Sequence, residues 1–170
     1  MNIVQLNNSD WQEYKSLRLQ ALQTDPQAFS SSFARESAFP DEKWQQRLRN
    51  ANEGTTSCMY FARLDGKLVG MIGGFRDEDD QKNHSAQIWG VFVSPNERGK
   101  GIAKKLMAAL IDKLSQNPDI HTLKLEVNTD QKSAGKLYES FGFAATNTIS
   151  MQLGDGLTHE VTQMEKPLVQ

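Results

Sequence analysis

The sequence lacks several features that mark secreted or membrane proteins. It has one cysteine, Cys58, in 170 residues, so no intramolecular disulfide can form and a reducing, cytoplasmic location fits. The first residues, MNIVQLNNSD, contain neither the basic nor the apolar segment of a secretion signal. No apolar run approaches the ~20 residues that a transmembrane helix needs. We therefore expect no membrane association.

The sequence also lacks an excess of positive charge. Its formal net charge is -2, whereas a protein that binds nucleic acid through bulk charge needs a basic surface. We therefore expect no nucleic-acid partner. Hydrophobic residues make up 38% and charged residues 24%, which is typical of a folded globular chain. No repeat, low-complexity tract or linker is visible, so we expect a single domain over residues 1–170.

Hydrophobic periodicity and turn signals predict the element order β-α-α-β-β-β-α-β-α-β-β. Asp65-Gly66 predicts a two-residue hairpin turn. One unit is β-α-β, and we expect its two strands to be parallel. The predicted fold class is α/β, or α+β, with a mixed, mostly antiparallel sheet and helices on its faces. The predicted helices cover about 10–23, 41–50, 102–114 and 131–140, and the strand before the third helix covers 86–93.

A basic, glycine-rich turn, Arg98-Gly99-Lys100-Gly101, lies between that strand and the third helix. Glycines let backbone amides approach a ligand, and a helix N-terminus presents unpaired N–H groups. Together they favour an anion such as a phosphate, although a plain β-α turn has the same appearance. A Walker A loop is excluded because no Gly-Lys is followed by Ser or Thr. The dinucleotide fingerprint is excluded because Lys104 replaces its third glycine.

The segment Arg98-Gly99-Lys100-Gly101-Ile102-Ala103 resembles the Arg/Gln-x-x-Gly-x-Gly/Ala signature of the GNAT superfamily of acetyl-CoA-dependent N-acetyltransferases. Downstream, LEVNTDQKSAGKLYESFGF resembles the family's second motif, and DGLTHEVTQMEKPL resembles its last strand. The resemblance implies a GNAT fold with a splayed parallel strand pair. It also implies transfer of an acetyl group from acetyl-CoA to a primary amine of a small molecule or protein.

The resemblance assigns the cofactor site to three segments. Backbone amides of the glycine turn would bind the pyrophosphate, and the pantetheine arm would lie along a bulged central strand. An amide of Phe92 or Val93 would hold the thioester oxygen. The family often has asparagine where this chain has Gln131, and nearby Asn128 is a possible substitute. The expected cofactor-binding residues are Val91, Phe92, Val93, Arg98, Gly99, Lys100, Gly101, Ile102, Ala103, Asn128 and Gln131.

Two residues are candidates for proton transfer. The resemblance makes Tyr138 the acid that protonates the departing thiolate, because a phenol keeps its proton at neutral pH. Without the resemblance, Tyr138 is an ordinary core tyrosine on an apolar helix face. Glu36 is the candidate base for the attacking amine, and a solvated loop carboxylate or a chain of waters is the alternative. Independently, Gly90 in mid-strand predicts a bulge or a close approach.

Several functional questions stay open at this level. The chain could use another donor such as succinyl-CoA, or it could be a non-catalytic acyl-CoA-binding sensor or regulatory module. The acidic run 77–80 could attract a cationic amine, or it is a solvated turn. The three histidines show no metal-ligand spacing, so no metal is expected. A homodimer through the C-terminal strands is possible.

Overall fold

The computed structural model describes residues 1–54, 56–76 and 84–168. The acidic run 77–80 therefore lies outside the described residues. The strands are β1 Asn2–Val4, β2 Ser57–Leu64, β3 Lys67–Arg76, β4 Ser85–Val93, β5 Thr122–Asn128, β6 Ala144–Gln152 and β7 Thr158–Pro167. The helices are α1 Trp11–Thr24, α2 Phe33–Ser37, α3 Asp41–Glu53, α4 Ile102–Ser115 and α5 Lys132–Ser140.

The seven strands form one sheet in the order β1-β2-β3-β4-β5-β7-β6. Neighbouring strands pair antiparallel except β4 and β5, which are parallel. This parallel pairing covers only 85–87 of β4 against 122–124 of β5. Beyond residue 87 the two strands separate and leave a slot in the sheet. The predicted mixed sheet with a splayed parallel pair is confirmed.

Gly90 produces a β-bulge in the part of β4 that borders the slot. Met71 pairs with Phe92 and Gly73 pairs with Trp89, so two residues of β4 oppose one residue of β3. Gly90 has a φ of +67°, a left-handed conformation that side chains with a Cβ rarely adopt. The predicted bulge at Gly90 is confirmed, and it bends the strand where the slot opens.

Helices cover both faces of the sheet with separate apolar clusters. On one face, α4 and α5 bury side chains such as Leu106, Leu110 and Tyr138. On the other, α1 and α3 bury side chains such as Tyr14, Leu17 and Trp44. Within the part of the chain that is described, no helix is long and apolar enough to cross a membrane.

The helix α2 was not predicted from the sequence. The side chain of Ser32 accepts a hydrogen bond from the Arg35 amide at 3.2 Å and caps the first turn. The helix has only five residues, which is too short for hydrophobic periodicity to reveal it. It nevertheless decides the environment of Glu36, because its packing turns that side chain inward, where 1% of the residue is exposed.

Candidate active site

A cavity of about 860 Å³ fills the slot between β4 and β5. The second half of β4 forms one wall, and the end of β5 with the start of α5 forms the other. The glycine turn closes one end, and residues 25 and 27–29 contribute from the segment after α1. Eleven of the sequence-predicted site residues line this cavity: Val91, Phe92, Val93, Arg98, Gly99, Gly101, Ile102, Ala103, Asn128, Gln131 and Tyr138. Lys100 and Glu36 do not.

The glycine turn presents backbone amides to the cavity. Gly99 and Gly101 have φ values of +78° and +76°, and a Cβ at either would meet nothing within 4 Å. Among the hydrogen bonds of the described residues, none has the amides of residues 99–104 as donors. The amide of Arg98 differs, because it donates to the Pro95 carbonyl at 3.3 Å. The open space and unpaired donors at the N-terminus of α4 suit a phosphate group.

The two basic side chains of the turn are engaged elsewhere. Nε of Arg98 donates to the Val93 carbonyl at 2.9 Å, and its Nη2 forms an ion pair with Asp25. The Nζ atom of Lys100 pairs with Glu97 at 2.8 Å. Lys104 lines the cavity instead. Lys104 lies in the first turn of α4, three residues after Gly101. A basic residue at that position of the sequence could have indicated a second cation near the anion site.

The backbone of β4 alternates between β3 and the slot. The Ser94 amide donates to the Val69 carbonyl of β3 at 2.8 Å. Alternation along the strand then directs the backbone groups of Val93 and Val91 away from β3, toward the slot. Those of Phe92 face β3, in agreement with its pairing to Met71. Of the two amides considered from the sequence, only that of Val93 faces the slot.

The Tyr138 side chain reaches the cavity from α5. Tyr138 is 6% exposed, and its ring packs edge-on against the ring of Phe143, with the ring centres 6.4 Å apart. Burial raises the pKa of the Tyr138 phenol above its ordinary value, because a buried phenolate loses its hydration. The phenol therefore keeps its proton at neutral pH, which is the form that a proton donor needs.

Asn128 and Gln131 lie at the end of β5. Nδ2 of Asn128 donates to the Gln27 carbonyl at 3.0 Å, and its Oδ1 accepts from the Asp130 amide at 3.0 Å. Both functions of the Asn128 amide are thus used to hold the segment after α1 and to shape the turn before α5. Gln131 remains as the cavity-lining amide at the N-terminus of α5.

Glu36 lies outside the slot in a buried cluster of charged side chains. Arg18 donates to both of its oxygens, with Nη2 to Oε1 at 2.8 Å and Nε to Oε2 at 3.2 Å. Nη1 of Arg47 donates to Oε2 at 2.8 Å. Burial opposes ionisation of Glu36, but the hydrogen bonds and charges of Arg18 and Arg47 outweigh it and lower the pKa to about 2. A carboxylate with that pKa is a weak proton acceptor at neutral pH.

Sequence reasoning missed two residues beside the slot. Trp89 lines the slot and also a second cavity. Arg18, on α1, is 5% exposed and its guanidinium lies 5.8 Å from the centre of the Trp89 ring. The signal for Arg18 was its position between Leu17 and Ala21 on the apolar side of a helix, where an arginine needs a partner.

The sequence profile of the acetyltransferase (GNAT) family matches residues 11–143. N-acetylaspartate synthetase from Xenopus tropicalis is 31% identical over 107 residues, which are 63% of this chain and 38% of that protein. Spermine/spermidine N(1)-acetyltransferase from Bacillus subtilis is 30% identical over 98 residues, which are 54% of this chain and 64% of that protein. The chain thus spans less than two thirds of either relative.

Solved structures of low sequence identity share the fold over nearly the whole chain. A GNAT-family acetyltransferase from Streptococcus pneumoniae superposes with a TM-score of 0.86 at 20% identity, covering 99% of both chains. The putative acetyltransferase yncA from Salmonella typhimurium, solved with acetyl-CoA, superposes with a TM-score of 0.82 at 18% identity. The match covers 100% of this chain and 95% of that chain. Because the family profile matches most of its length, this chain belongs to the GNAT acetyltransferase family.

Proposed function

We propose that this protein is an N-acetyltransferase that moves an acetyl group from acetyl-CoA to a primary amine. The observation that carries the proposal is the slot between β4 and β5, which ends on the unpaired amides of residues 99–104 and is bordered by Tyr138. An extended thioester with a pyrophosphate at one end needs a narrow, backbone-lined channel with an anion site at its end. The slot has both.

The chain would hold the donor mainly through backbone groups. Amides of residues 99–103 would bind the pyrophosphate, with Lys104 rather than Lys100 supplying a nearby cation. The pantetheine arm would extend β4 on its open edge, along the backbone groups of Val91 that face the slot. Because Arg98 occupies the Val93 carbonyl, the Val93 amide is the group left to stabilise negative charge on the thioester oxygen.

The acetyl transfer needs only one acidic group from the protein. The amine nitrogen attacks the thioester carbonyl, so a C–N bond forms while negative charge collects on the oxygen. The C–S bond then breaks and the electron pair leaves with sulfur. Tyr138 donates its proton to that sulfur, which gives free coenzyme A, and the tyrosinate then regains a proton from water. The ammonium proton passes to solvent water.

We do not propose Glu36 as the base, because its two arginine partners hold it ionised and out of the slot. Its neighbours help in another way. An amine that approaches Arg18 and Arg47 meets positive charge, which lowers the pKa of an ammonium group and favours the neutral nucleophile. Removal of its proton by water is then sufficient at neutral pH.

The test is thiol release from acetyl-CoA in the presence of a panel of primary amines, with acetyl-CoA affinity measured by calorimetry. Gly101→Glu places bulk and negative charge at the anion site, so we expect acetyl-CoA affinity to fall at least about 100-fold. Gly66→Glu is the matched control. Gly66 also has a positive φ, of +80°, with open space around it, but it lines neither cavity.

The result separates an enzyme from a non-catalytic sensor. Acetyl-CoA binding without thiol release from any amine would make the protein a binding module. Unchanged affinity in a folded Gly101→Glu variant would place the donor elsewhere. A succinyl-CoA donor would appear as faster thiol release with that thioester than with acetyl-CoA.

Three further expectations, on domain organisation, oligomeric state and cellular location, remain proposals. A single domain over 1–170 is supported by β7, which lies beyond the matched residues 11–143 yet pairs with β5 inside the sheet. A homodimer through the C-terminal strands is supported by β6, which is one of the two edge strands of the sheet, and light scattering would measure it. A cytoplasmic location is supported by Cys58, a buried free thiol.

A further inference from the structure

A second cavity, of about 960 Å³, adjoins the donor slot at Trp89. Trp89 is common to the linings of both cavities. Trp89 precedes Gly90, so the second cavity meets the slot next to the bulge of β4. The charged side chains of its lining are Arg18, Arg35, Lys43, Arg47 and Arg49 against Glu36 and Glu53. The cavity is therefore basic, in a chain whose net charge is -2.

One buried nitrogen of this lining has no hydrogen-bond partner among the described residues. Nη1 of Arg18 is buried and has no hydrogen-bond partner in the described residues, whereas its Nε and Nη2 both bind Glu36. The guanidinium lies 4.8 Å from the centre of the Phe29 ring and 5.8 Å from that of Trp89, so the two aromatic residues fix its position. An unsatisfied buried donor is rare in folded proteins and needs an explanation.

The same nitrogen lies beside the reaction centre. Nη1 of Arg18 is 3.9 Å from the point where a Cβ would lie on Gly90. Gly90 lines the slot and forms the bulge of β4. A group bound to Nη1 is thus only a few bonds away from an amine that attacks a thioester at the bulge.

The buried cluster also carries an uncompensated charge. Arg18 and Arg47 are both paired with Glu36, and the pKa of Glu36, about 2, keeps it ionised. Two cations against one anion leave one positive charge. The Arg18 side chain is 6% exposed and the Arg47 side chain 28%, so solvent screens the charge of Arg47 far more than that of Arg18. An anionic ligand on Arg18 would offset the cost of its buried charge.

We propose that the acceptor is a small amine that carries a carboxylate close to its amino group, as an α-amino acid does, and that Nη1 of Arg18 donates to that carboxylate. This inference rests on the proposed function. It excludes polyamines as the preferred class, because five basic side chains against two carboxylates give the lining a net positive charge that repels a polycation. The acidic run 77–80 lies outside the described residues and has no part in it.

The first test uses the unaltered protein and matched pairs of amines that differ only in the carboxylate. The pairs are L-phenylalanine with 2-phenylethylamine, L-leucine with 3-methylbutylamine, and L-lysine with 1,5-diaminopentane. Thiol release gives kcat/KM for each member. We expect the carboxylate-bearing member to be favoured by about 10- to 100-fold, the range for one hydrogen bond to a charged group. Equal rates, or faster acetylation of the decarboxylated amines, would overturn the inference.

The second test locates the preference on Arg18. We expect Arg18→Met to bring the ratio of kcat/KM within each pair close to 1, while Arg63→Met keeps the ratio of the unaltered protein. Arg63 pairs with Glu13 on the surface and lines neither cavity. The ratio within one variant is independent of how much of that variant is folded. A ratio that survives Arg18→Met would overturn the assignment to Arg18.

A third arm does not depend on turnover. Calorimetry of the unaltered protein, saturated with acetyl-CoA or with free coenzyme A, compares L-phenylalanine with 2-phenylethylamine. If acetyl-CoA binds but no amine releases thiol, the proposed function fails while this arm still decides the inference. Tighter binding of the amino acid by the unaltered protein, lost in Arg18→Met, supports a carboxylate site at Arg18, and equal or weaker binding overturns it.

Discussion

Replacing Glu36 with glutamine separates a structural carboxylate from a catalytic one. Glu36 accepts three hydrogen bonds, two from Arg18 and one from Arg47, and 2% of its side chain is exposed. The amide of Glu36→Gln keeps the shape of the side chain but removes the charge. It leaves the buried guanidinium of Arg18 and the half-buried guanidinium of Arg47 without a counter-ion, and breaking a buried pair in this way typically costs ~3–5 kcal/mol.

The pKa of Glu36 gives a second, independent value for the free energy by which its ion pairs stabilise the fold. Its fall from the ordinary value of 4.5 to about 2 corresponds to roughly 3 kcal/mol at ~1.36 kcal/mol per unit. The folded pKa is below the unfolded one, so this stabilisation is fully present above the unfolded pKa and is lost as the pH falls through the folded pKa. The window runs from about pH 5 down to about pH 2, and about 2 kcal/mol is already lost at pH 3.

The assay is urea unfolding of the unaltered protein, Glu36→Gln and Glu13→Gln at pH 7 and between pH 5 and pH 3. We expect Glu36→Gln to lower the free energy of unfolding by about 3 kcal/mol at pH 7 and to flatten its decline below pH 5. Glu13→Gln is the control, because its pair with Arg63 is solvent-exposed and such pairs contribute ~0–1 kcal/mol.

The opposite pattern would refute this reasoning. If Glu36 were the general base, Glu36→Gln would reduce single-turnover acetyl transfer by ~10²–10⁴-fold, abolish the acidic limb of the pH–rate profile, and change stability no more than Glu13→Gln does. A variant with normal stability and lost turnover would restore Glu36 as the base.

Three further substitutions test the slot. Tyr138→Phe should slow single-turnover thiol release by ~10²–10⁴-fold with acetyl-CoA affinity and melting temperature nearly unchanged; equal rates would make Tyr138 a packing residue. Gly73→Ala places a Cβ 2.6 Å from Cζ2 of Trp89, so the indole must move, and urea unfolding should show a loss of ~1–3 kcal/mol. Gly90→Ala strains a φ of +67° and crowds Cε of Met71 at 3.2 Å; a loss of ~1–2 kcal/mol is expected, and unchanged stability would contradict the bulge.

Local patterns in the sequence were sufficient to predict the sheet and the unpaired amides of the glycine turn. Asp65 and Gly66 both have positive φ in the hairpin turn. The dipeptide Asp-Gly favours that conformation, so the sequence alone predicts the turn. The parallel pair follows from a helix between two strands. The unpaired amides of the glycine turn follow from any helix N-terminus. The turns depend on neighbours within a few positions, and the parallel pair depends on the order of consecutive elements.

The side chains of the site depended on packing that the sequence does not display. Arg98 is drawn from a phosphate-binding role into a pair with Asp25, which is 73 positions away. The bulge at Gly90 was expected, but which backbone groups of β4 face the slot was fixed only by its register against β3.

Glu36 shows the difference most clearly. By sequence it is one acidic residue in a serine-rich segment, and nothing local distinguishes a base from a structural anion. Only the packing of α1, α2 and α3 brings it to Arg18 and Arg47, 18 and 11 positions away. A charge keeps or loses its proton according to its desolvation and its partners in space, so the sequence by itself predicted a slot with a glycine-rich turn at one end, and the tertiary structure decided which charged groups surround Glu36.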